Sequence, residues 1–248
     1  MKTFRLIEMA LLAVVMCFTS CSKDDDIIKN EEGVVVNQKK LVQWGGDEYS
    51  IPYKLTYDAK GRLLSMGDWW NYKWINDLVI SEHGGTYTIE NNLLRSVDNE
   101  REKITFTYNF KDQLVRKESR DKNYDYTSIV DYVWANDKII KETETGIDNV
   151  MGSKDVIYKC TYTYSGKTCK SMIFNPIYTS GEAWSYLIIP HPELIGTPCL
   201  QLPDCKIESY GKDDKGTIEY TYKIDKDGYV ESLTMISSNP EFHTYKWE

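Results

Sequence analysis

Histidine is scarce in this chain: three in 248 residues, His83, His191 and His243. They lie far apart and none sits in a serine, cysteine or metal motif, so histidine-dependent nucleophilic catalysis has no footing in the sequence. A phosphate-cradling glycine loop is also missing. Gly45-Gly46 and Gly84-Gly85 are followed by β-like sequence, whereas a phosphate loop leads into a helix. The apolar stretch Leu6 to Phe18 is interrupted by Glu8 and falls short of the roughly 20 residues a membrane span needs. Positive charge is in deficit, with 30 Lys and Arg against 38 Asp and Glu and a formal net charge of −8. That balance argues against nucleic acid or an anionic lipid surface as a partner. Alanine is scarce beyond residue 20, which speaks against a helical domain.

What the first residues do have is the layout of an export signal. Lys2 and Arg5 give the positive start, the apolar stretch follows, and the small residues Thr19 and Ser20 precede Cys21. Phe18-Thr19-Ser20-Cys21 resembles the lipobox of bacterial lipoproteins. Behind it, Ser22-Lys23-Asp24-Asp25-Asp26 resembles the acidic signal that sends Bacteroidetes lipoproteins to the outer cell surface. The resemblance implies that residues 1–20 are a removed signal peptide and that lipid on Cys21 ties the chain to a membrane partner. It also implies an outer-membrane location facing the cell exterior, with several acyl chains on the cysteine for stable anchoring. Residues 21–33, acidic and without core-forming side chains, read as a flexible stalk. Losing Lys2, Arg5 and Glu8 with the signal takes the formal charge from −8 to −9.

Residues 34–248 read as one all-β domain. Nineteen tyrosines and seven tryptophans favour strands, and a degenerate hairpin recurs along the chain. Three copies have a longer loop: Tyr57 to Leu63, Tyr108 to Leu114 and Ile224 to Val230. In each, Asp or Asn follows an apolar residue; Gly61 and Gly228 fall where a left-handed backbone is needed, and Asp112 takes that place in the second copy. Four copies are one residue shorter, with turns at Asn76-Asp77, Asn91-Asn92, Asn136-Asp137 and Gly166-Lys167. They pair Trp74 with Val79, Ile89 with Leu94, Trp134 with Ile139, and Tyr164 with Cys169. Alternation puts Tyr53, Leu55 and Tyr57 on one face, as it does Ile104, Phe106 and Tyr108; Lys and Thr occupy the other. The expected architecture is a single, strongly curved antiparallel meander, open or a half-barrel, of about 14 to 16 strands. Its first strand lies near Val34 to Trp44.

Residues 175–205 break this rhythm and hold five of the seven prolines. Their apolar side, Leu187 to Ile189 with Leu194, Ile195 and Leu200, suits an irregular segment packed over the sheet as a cover. Four cysteines remain behind the stalk. The two-residue turn at Gly166-Lys167 separates Cys160 and Cys169 by about four residues along the ladder, roughly 13 Å, too far for a disulfide. Cys199 and Cys205 have no such restriction and form the candidate disulfide. Their spacing is too wide for one half of a structural zinc site, so no metal and no cofactor is expected.

The Tyr-Asp-x-x-Gly-Arg-Leu signature from Tyr57 to Leu63 is similar to the YD repeats of wall-associated and toxin-carrying proteins. The whole arrangement resembles the Bacteroidetes lipoproteins of the DUF4595 family, described as having a porin-like fold. The likeness spans roughly residues 35–248. It is most specific at Asn175, Trp184 to Ile189, Leu194-Ile195-Gly196 and Leu202-Pro203, and departs at Thr197-Pro198-Cys199, where members carry a basic, serine-containing stretch. It implies a porin-like sheet and no catalytic residue.

Two functions fit these residues. One is a non-catalytic surface binding or scaffold lipoprotein that recognises a glycan or an envelope partner, with Trp69 and Trp247 as candidate contact aromatics. In Asp68 to Trp74, alternation places Trp70, Tyr72 and Trp74 on the core face and leaves Trp69 outside. The other is a hydrolase of an extracellular polymer, built on a carboxylate pair among the abundant acids. Those acids cluster in turns and the stalk, as solubility alone places them. For the anchor, replacing Cys21 with Ala is expected to release the folded protein from washed membranes, read by fractionation; full retention of the variant would overturn the lipid tether.

Overall fold

A strand with one apolar and one polar face needs cover for the apolar one, and a sheet curved far enough supplies it from its own far side. The computed structural model describes residues 28–29, 35–36, 39–45, 52–68, 70–75, 78–81, 85–170, 196, 200–211, 214–238 and 240–248. They fall into two units, Met1–Gln38 and Lys39–Glu248. In the first, β1 (Ile28–Lys29) pairs antiparallel with β2 (Val35–Val36). The strand expected from Val34 therefore starts later, because Val35 and Val36 pair within this ribbon. The second unit contains β3 (Leu41–Gly45), β4 (Tyr53–Tyr57), β5 (Leu63–Met66), β6 (Trp70–Ile75), β7 (Leu78–Ser81), β8 (Gly85–Glu90), β9 (Leu93–Asp98) and β10 (Glu102–Tyr108). It continues with β11 (Leu114–Asp121), β12 (Tyr126–Ala135), β13 (Lys138–Asp148), β14 (Ser153–Thr163), β15 (Cys205–Tyr210), β16 (Asp214–Ile224), β17 (Val230–Ile236) and β18 (Glu241–Trp247).

Each of these strands pairs antiparallel with the next, giving the single curved meander expected from the sequence. The sheet goes further than an open or half-barrel form, since β18 pairs with β3 from Thr244–Gly45 to Trp247–Leu41. Sixteen strands thus complete a ring, and ring closure removes the unpaired edges that an open sheet exposes. Its thin side lies between β3 and β6. There β3 and β4 join through Gln43–Lys54 and Trp44–Tyr53, and β5 and β6 through Ser65–Asn71 and Met66–Trp70.

Most inward positions are apolar and many are aromatic, with Glu142, Lys117 and Lys206 buried among them. Tyr72, Tyr87, Ile89, Val97, Ile104, Phe106, Val130, Tyr132, Tyr158, Tyr162, Tyr220 and Leu233 form one buried cluster drawn from strands around the ring. Burying each such side chain stabilises by about 1.5–3 kcal/mol. Outward positions such as Lys54, Thr56, Lys103, Thr105, Lys159 and Thr161 are exposed. A barrel that crosses a bilayer shows the opposite pattern, apolar outside and polar within. Among the described residues this barrel has an apolar buried cluster and many outward Lys and Thr side chains.

Six of the seven expected turns join neighbouring strands. Trp74 pairs with Val79, Ile89 with Leu94 and Trp134 with Ile139, as the turn lengths require. Asn91, Asn92, Asn136 and Asp137 all have φ between 49° and 59°, the left-handed pair of a type I′ turn. The longer loops are tied by their Asp or Asn. Asp58 Oδ1 accepts from the N–H groups of Lys60 and Arg62 at 2.8 and 2.9 Å, and Asn109 and Asp225 do the same in their loops. Gly61, Asp112 and Gly228 supply the left-handed residue at φ 80°, 56° and 92°.

The seventh expected hairpin does not form. β14 ends at Thr163 and pairs with β15, so Cys160 faces Glu208 instead of Ile173. Gly166 is left-handed as the turn chemistry requires, but the return segment makes only a bridge from Thr168 to Gln201. The local turn signal is outweighed by the six-residue ladder that β15 offers. Cys160 and Cys169 carry thiols, as expected, though not for the register argued above. Of the cover segment, Gly196 and residues 200–205 are described; Gly196 bridges Gln113, and Leu202 is buried in the core. The rest of 175–205 lies outside the described residues.

The hairpin ends share one further device. Six ladders carry a bulge beside the same end of the barrel, at Leu41, Leu63, Leu94, Leu114, Ile139 and Val230. A bulge turns a carbonyl out of the ladder, and a half-buried carbonyl needs another donor. An aromatic side chain from the next even-numbered strand, or just beyond it, supplies each. Tyr57 reaches Leu41 O at 2.5 Å, Trp74 reaches Leu63 O at 2.8 Å and Tyr108 reaches Leu94 O at 2.8 Å. Trp134 reaches Leu114 O at 2.7 Å, Tyr164 reaches Ile139 O at 2.5 Å and Trp247 reaches Val230 O at 2.7 Å. In four copies the basic residue beside that carbonyl also covers the aromatic ring: Lys40 on Tyr57, Arg62 on Trp74, Arg95 on Tyr108 and Lys138 on Tyr164. Tyr57→Phe keeps the ring and removes the donor, so it is expected to cost about 1–3 kcal/mol, read as a lower denaturation midpoint. Tyr53→Phe, on the same strand but more exposed, is the control. Equal midpoints for the two variants would count against the belt.

Candidate functional site

One copy of this belt is built differently. At Leu114 the preceding residue is Gln113, not Arg or Lys, and among the described residues no cation covers Trp134. The buried Gln113 side chain instead crosses between two hairpin tips. Its Oε1 accepts from Asn109 Nδ2 at 2.9 Å, and its Nε2 donates to Asp137 Oδ1 at 3.1 Å. Between the tips lies an open cleft of about 200 Å³ lined by Asn109, Phe110, Lys111, Gln113 and Trp134 to Asp137. Phe110 is 94% exposed at the tip of its loop. The indole N–H of Trp134 is committed to Leu114 O, which fixes the ring in place. Lys111 Nζ lies 3.8 Å from Asp137 Oδ1. Gly196 presses on the loop from behind, where a Cβ would come 1.9 Å from the Asp112 carbonyl. The lining thus combines two aromatic rings with amides, an ammonium and one carboxylate. It can stack a ring and bond its hydroxyls. A hydrolytic pair needs two carboxyl groups about 5–9.5 Å apart, and Asp137 is the one carboxylate here.

A second polar group lies inside the barrel. The backbone row Tyr132–Glu142–Cys160–Glu208–Gly216 runs directly across β12 to β16. Glu142 is fully buried; its Oε1 accepts from Tyr162 Oη at 2.9 Å and its Oε2 faces Cys160 Sγ at 3.5 Å. Burial lifts this carboxyl to about 7, against the pull of Lys206 and the bonds from Tyr162 and Cys160. Burial likewise pushes the Cys160 thiol up to about 12. Buried Lys206 pairs with Glu208 at 3.1 Å and sits 5.2 Å over the Tyr158 ring. Gly216 opposite Glu208 leaves room for that side chain, since a Cβ would stand 3.2 Å from it. Buried Lys117 is held below the usual lysine range by burial, against Glu144, Glu102 and Glu142. Ser128 donates to Glu144 at 2.6 Å and Ser119 to Glu102. These charges satisfy one another within the core, and Glu142 offers no surface to a substrate.

The residues singled out from the sequence fall elsewhere. Trp247 packs its ring 5.2 Å from Tyr229 and gives its N–H to Val230, the belt role that also fastens the last strand. Tyr72 is buried and Trp74 half-buried on the core face, as alternation required. Cys21, Trp69 and Cys199 lie outside the described residues. Cys205, at the start of β15, carries a thiol that burial pushes up. Phe110, Trp134, Gln113 and Asp137 were missed as a group. The available signal was the longer loop's aromatic at a position where the other copies have Ala59 and Lys226. Among the described residues no group of His, Cys, Asp and Glu is arranged to hold a metal ion.

Two crystal structures share this architecture. A porin-like protein from Bacteroides vulgatus ATCC 8482 aligns with TM-score 0.62 at 12% identity, over 85% of this chain and 99% of that one. A porin-like protein from Bacteroides uniformis ATCC 8492 aligns with TM-score 0.58 at 14% identity, over 84% of this chain and 98% of that one. The fold is porin-like. At these identities the likeness concerns fold alone. No protein-family model and no curated protein matches the sequence.

The inner cluster makes a pH prediction. Glu142 keeps its proton in the folded protein up to about pH 7 but ionises near 4.5 when unfolded. The stability from this group is therefore full below about pH 4.5 and lost as pH rises to about 7. Denaturation midpoints of the wild type should fall across that window relative to Glu142→Gln, whose profile lacks the fall. Parallel profiles would place the titration elsewhere.

Proposed function

We propose that this chain is a non-catalytic surface lipoprotein of the DUF4595 kind, held in the outer membrane by lipid on Cys21 and facing the exterior. It recognises a glycan in the cleft between Asn109–Gln113 and Trp134–Asp137. The observation that carries this reading is the pairing of a nearly naked Phe110 with a Trp134 that has lost the cationic cover of its counterparts. An exposed aromatic on a loop whose backbone is tied down costs solvation and gains nothing in packing. Sugar rings stack their apolar faces on such side chains while Asn109, Asn136, Asp137 and Lys111 supply donors and acceptors for hydroxyls. At about 200 Å³ the cleft is smaller than the roughly 300–1,000 Å³ of sites that engulf a small molecule. It therefore suits one ring of a longer glycan.

Affinity electrophoresis through gels containing xylan, mannan, mixed-linkage β-glucan or mucin glycans tests this. Retardation by at least one polymer is expected, weakened at least tenfold in Phe110→Ala with the melting midpoint unchanged. No retardation by any polymer, or a variant that binds like the wild type, would discard the cleft. Release of reducing ends by the purified protein would favour the hydrolase reading instead.

A further inference from the structure

The chain enters the barrel at the end that holds the cleft. Lys39 is the first residue of the barrel unit, and three hydrogen bonds fix it there. Its N–H donates to Tyr229 Oη at 3.0 Å, and its Nζ donates to Asp225 Oδ2 at 3.1 Å and to Asp227 Oδ2 at 2.7 Å. The same ammonium lies 5.3 Å over the Tyr229 ring. Lys40 and Glu248 then exchange backbone bonds at 2.7 and 3.0 Å, beside the ladder of β18 on β3. Asp225, Asp227 and Tyr229 belong to the loop from β16 to β17. In an antiparallel meander every second connection lies at one end. This loop therefore shares its end with the β10–β11 and β12–β13 loops, which wall the cleft. Four strand steps of about 4.8 Å separate the entry loop from the β12–β13 tip, roughly 20 Å around the rim.

The length of chain ahead of Lys39 decides what that end faces. Ile28 pairs with Val36, so the residues between them add only the width of one strand pair, about 5 Å. What remains is seven residues from Cys21 to Ile28 and three from Val36 to Lys39. At about 3.3–3.6 Å each, they bring the full reach from Cys21 to the barrel to about 40 Å. The barrel is nearly as long, since the eleven residues of β13 run roughly 35 Å at about 3.3 Å per residue. Turning the far end to the bilayer would draw the tether taut along the whole barrel wall. That ordering cost is absent when the entry end faces the membrane.

Resting on the lipid anchor and the glycan cleft proposed above, we infer that the cleft faces the membrane that holds the chain and takes the glycan of a glycolipid in that same leaflet. A sugar chain rising from the leaflet meets the cleft within the tether's reach, so the lipid anchor concentrates the cleft beside its ligand. A cleft of about 200 Å³ that holds one ring suits such a chain. A polymer arriving from the medium meets the far end first.

The test uses the full lipidated chain in vesicles of phosphatidylethanolamine and the glycolipid fraction of the native host's outer membrane. Benzoylphenylalanine replaces either Lys226, exposed at the tip of the entry loop, or Met151, 77% exposed at the far end. Irradiation is expected to give at least five times more glycolipid adduct from position 226 than from position 151. Phe110→Ala should lower the 226 adduct at least fivefold, with the melting midpoint unchanged. Equal adducts from the two positions, or an adduct indifferent to Phe110→Ala, would overturn the inference. Affinity electrophoresis of the unlipidated Cys21→Ala chain separates it from the glycan reading. Retardation by a soluble polymer, lost in Phe110→Ala, together with no 226 adduct would leave the cleft standing and remove its membrane ligand. Neither retardation nor adduct would remove both.

Discussion

A carbonyl turned out of a β-ladder has to find a donor, and in this barrel the tyrosine hydroxyl and the indole N–H meet that demand. The same ring that donates the proton buries a large apolar area, so one side chain closes the hairpin end and fills the interior beside it. Tyr57 and Trp247 hold Leu41 and Val230, the carbonyls on β3 and β17 that flank the closing strand β18. The closing ladder of β18 on β3, continued by the reciprocal backbone bonds of Lys40 and Glu248, is thus flanked on both sides by the device that the hairpins repeat. The abundance of tyrosine and tryptophan follows from it. A chain with leucine at these positions would fill the barrel as well and leave the bulge carbonyls bare.

Much of this was legible because it is local. Asp58, Asn109 and Asp225 announce loops that their own side chains tie, and Asn91-Asn92 and Asn136-Asp137 announce turns whose positive φ few other residues tolerate. Gly166 shows where local reasoning fails. It has the left-handed backbone the turn chemistry demands, at φ 93°, yet its strand pairs with β15, beyond an intervening segment of some forty residues. Nothing near Tyr164 encodes that partner. Closure was hidden for the same reason, since β18 meets β3 from the far end of the sequence.

The inner charges were missed because alternation was read as apolar in and polar out. On β13 the inward positions after the bulge are Glu142 and Glu144, while outward Thr145 is buried. Hydropathy alone assigns such a strand to the surface. What permits it is reciprocity across strands: Lys117 and Lys206 come from β11 and β15, and Gly216 on β16 makes the space. None of these is visible until the register is known.

The belt also explains where a binding site can be placed in a fold so full of side chains. In four copies a cation seals the aromatic ring, and in a fifth Tyr229 packs against Trp247. Arg62 shows what the arrangement provides elsewhere: it covers Trp74 and binds Asp58 at 2.6 Å within its own loop. Gln113 occupies the corresponding place before Leu114 and is too short and uncharged to do both. It keeps the loop contact, to Asn109, and extends the other way to Asp137. The hairpin tips stay tied while Trp134 lines the cleft between them. A single substitution in the repeat thus makes the cleft and fixes its walls at once. That is the physical reason for placing recognition there and not at the sealed copies, whose rings already have a cation over them.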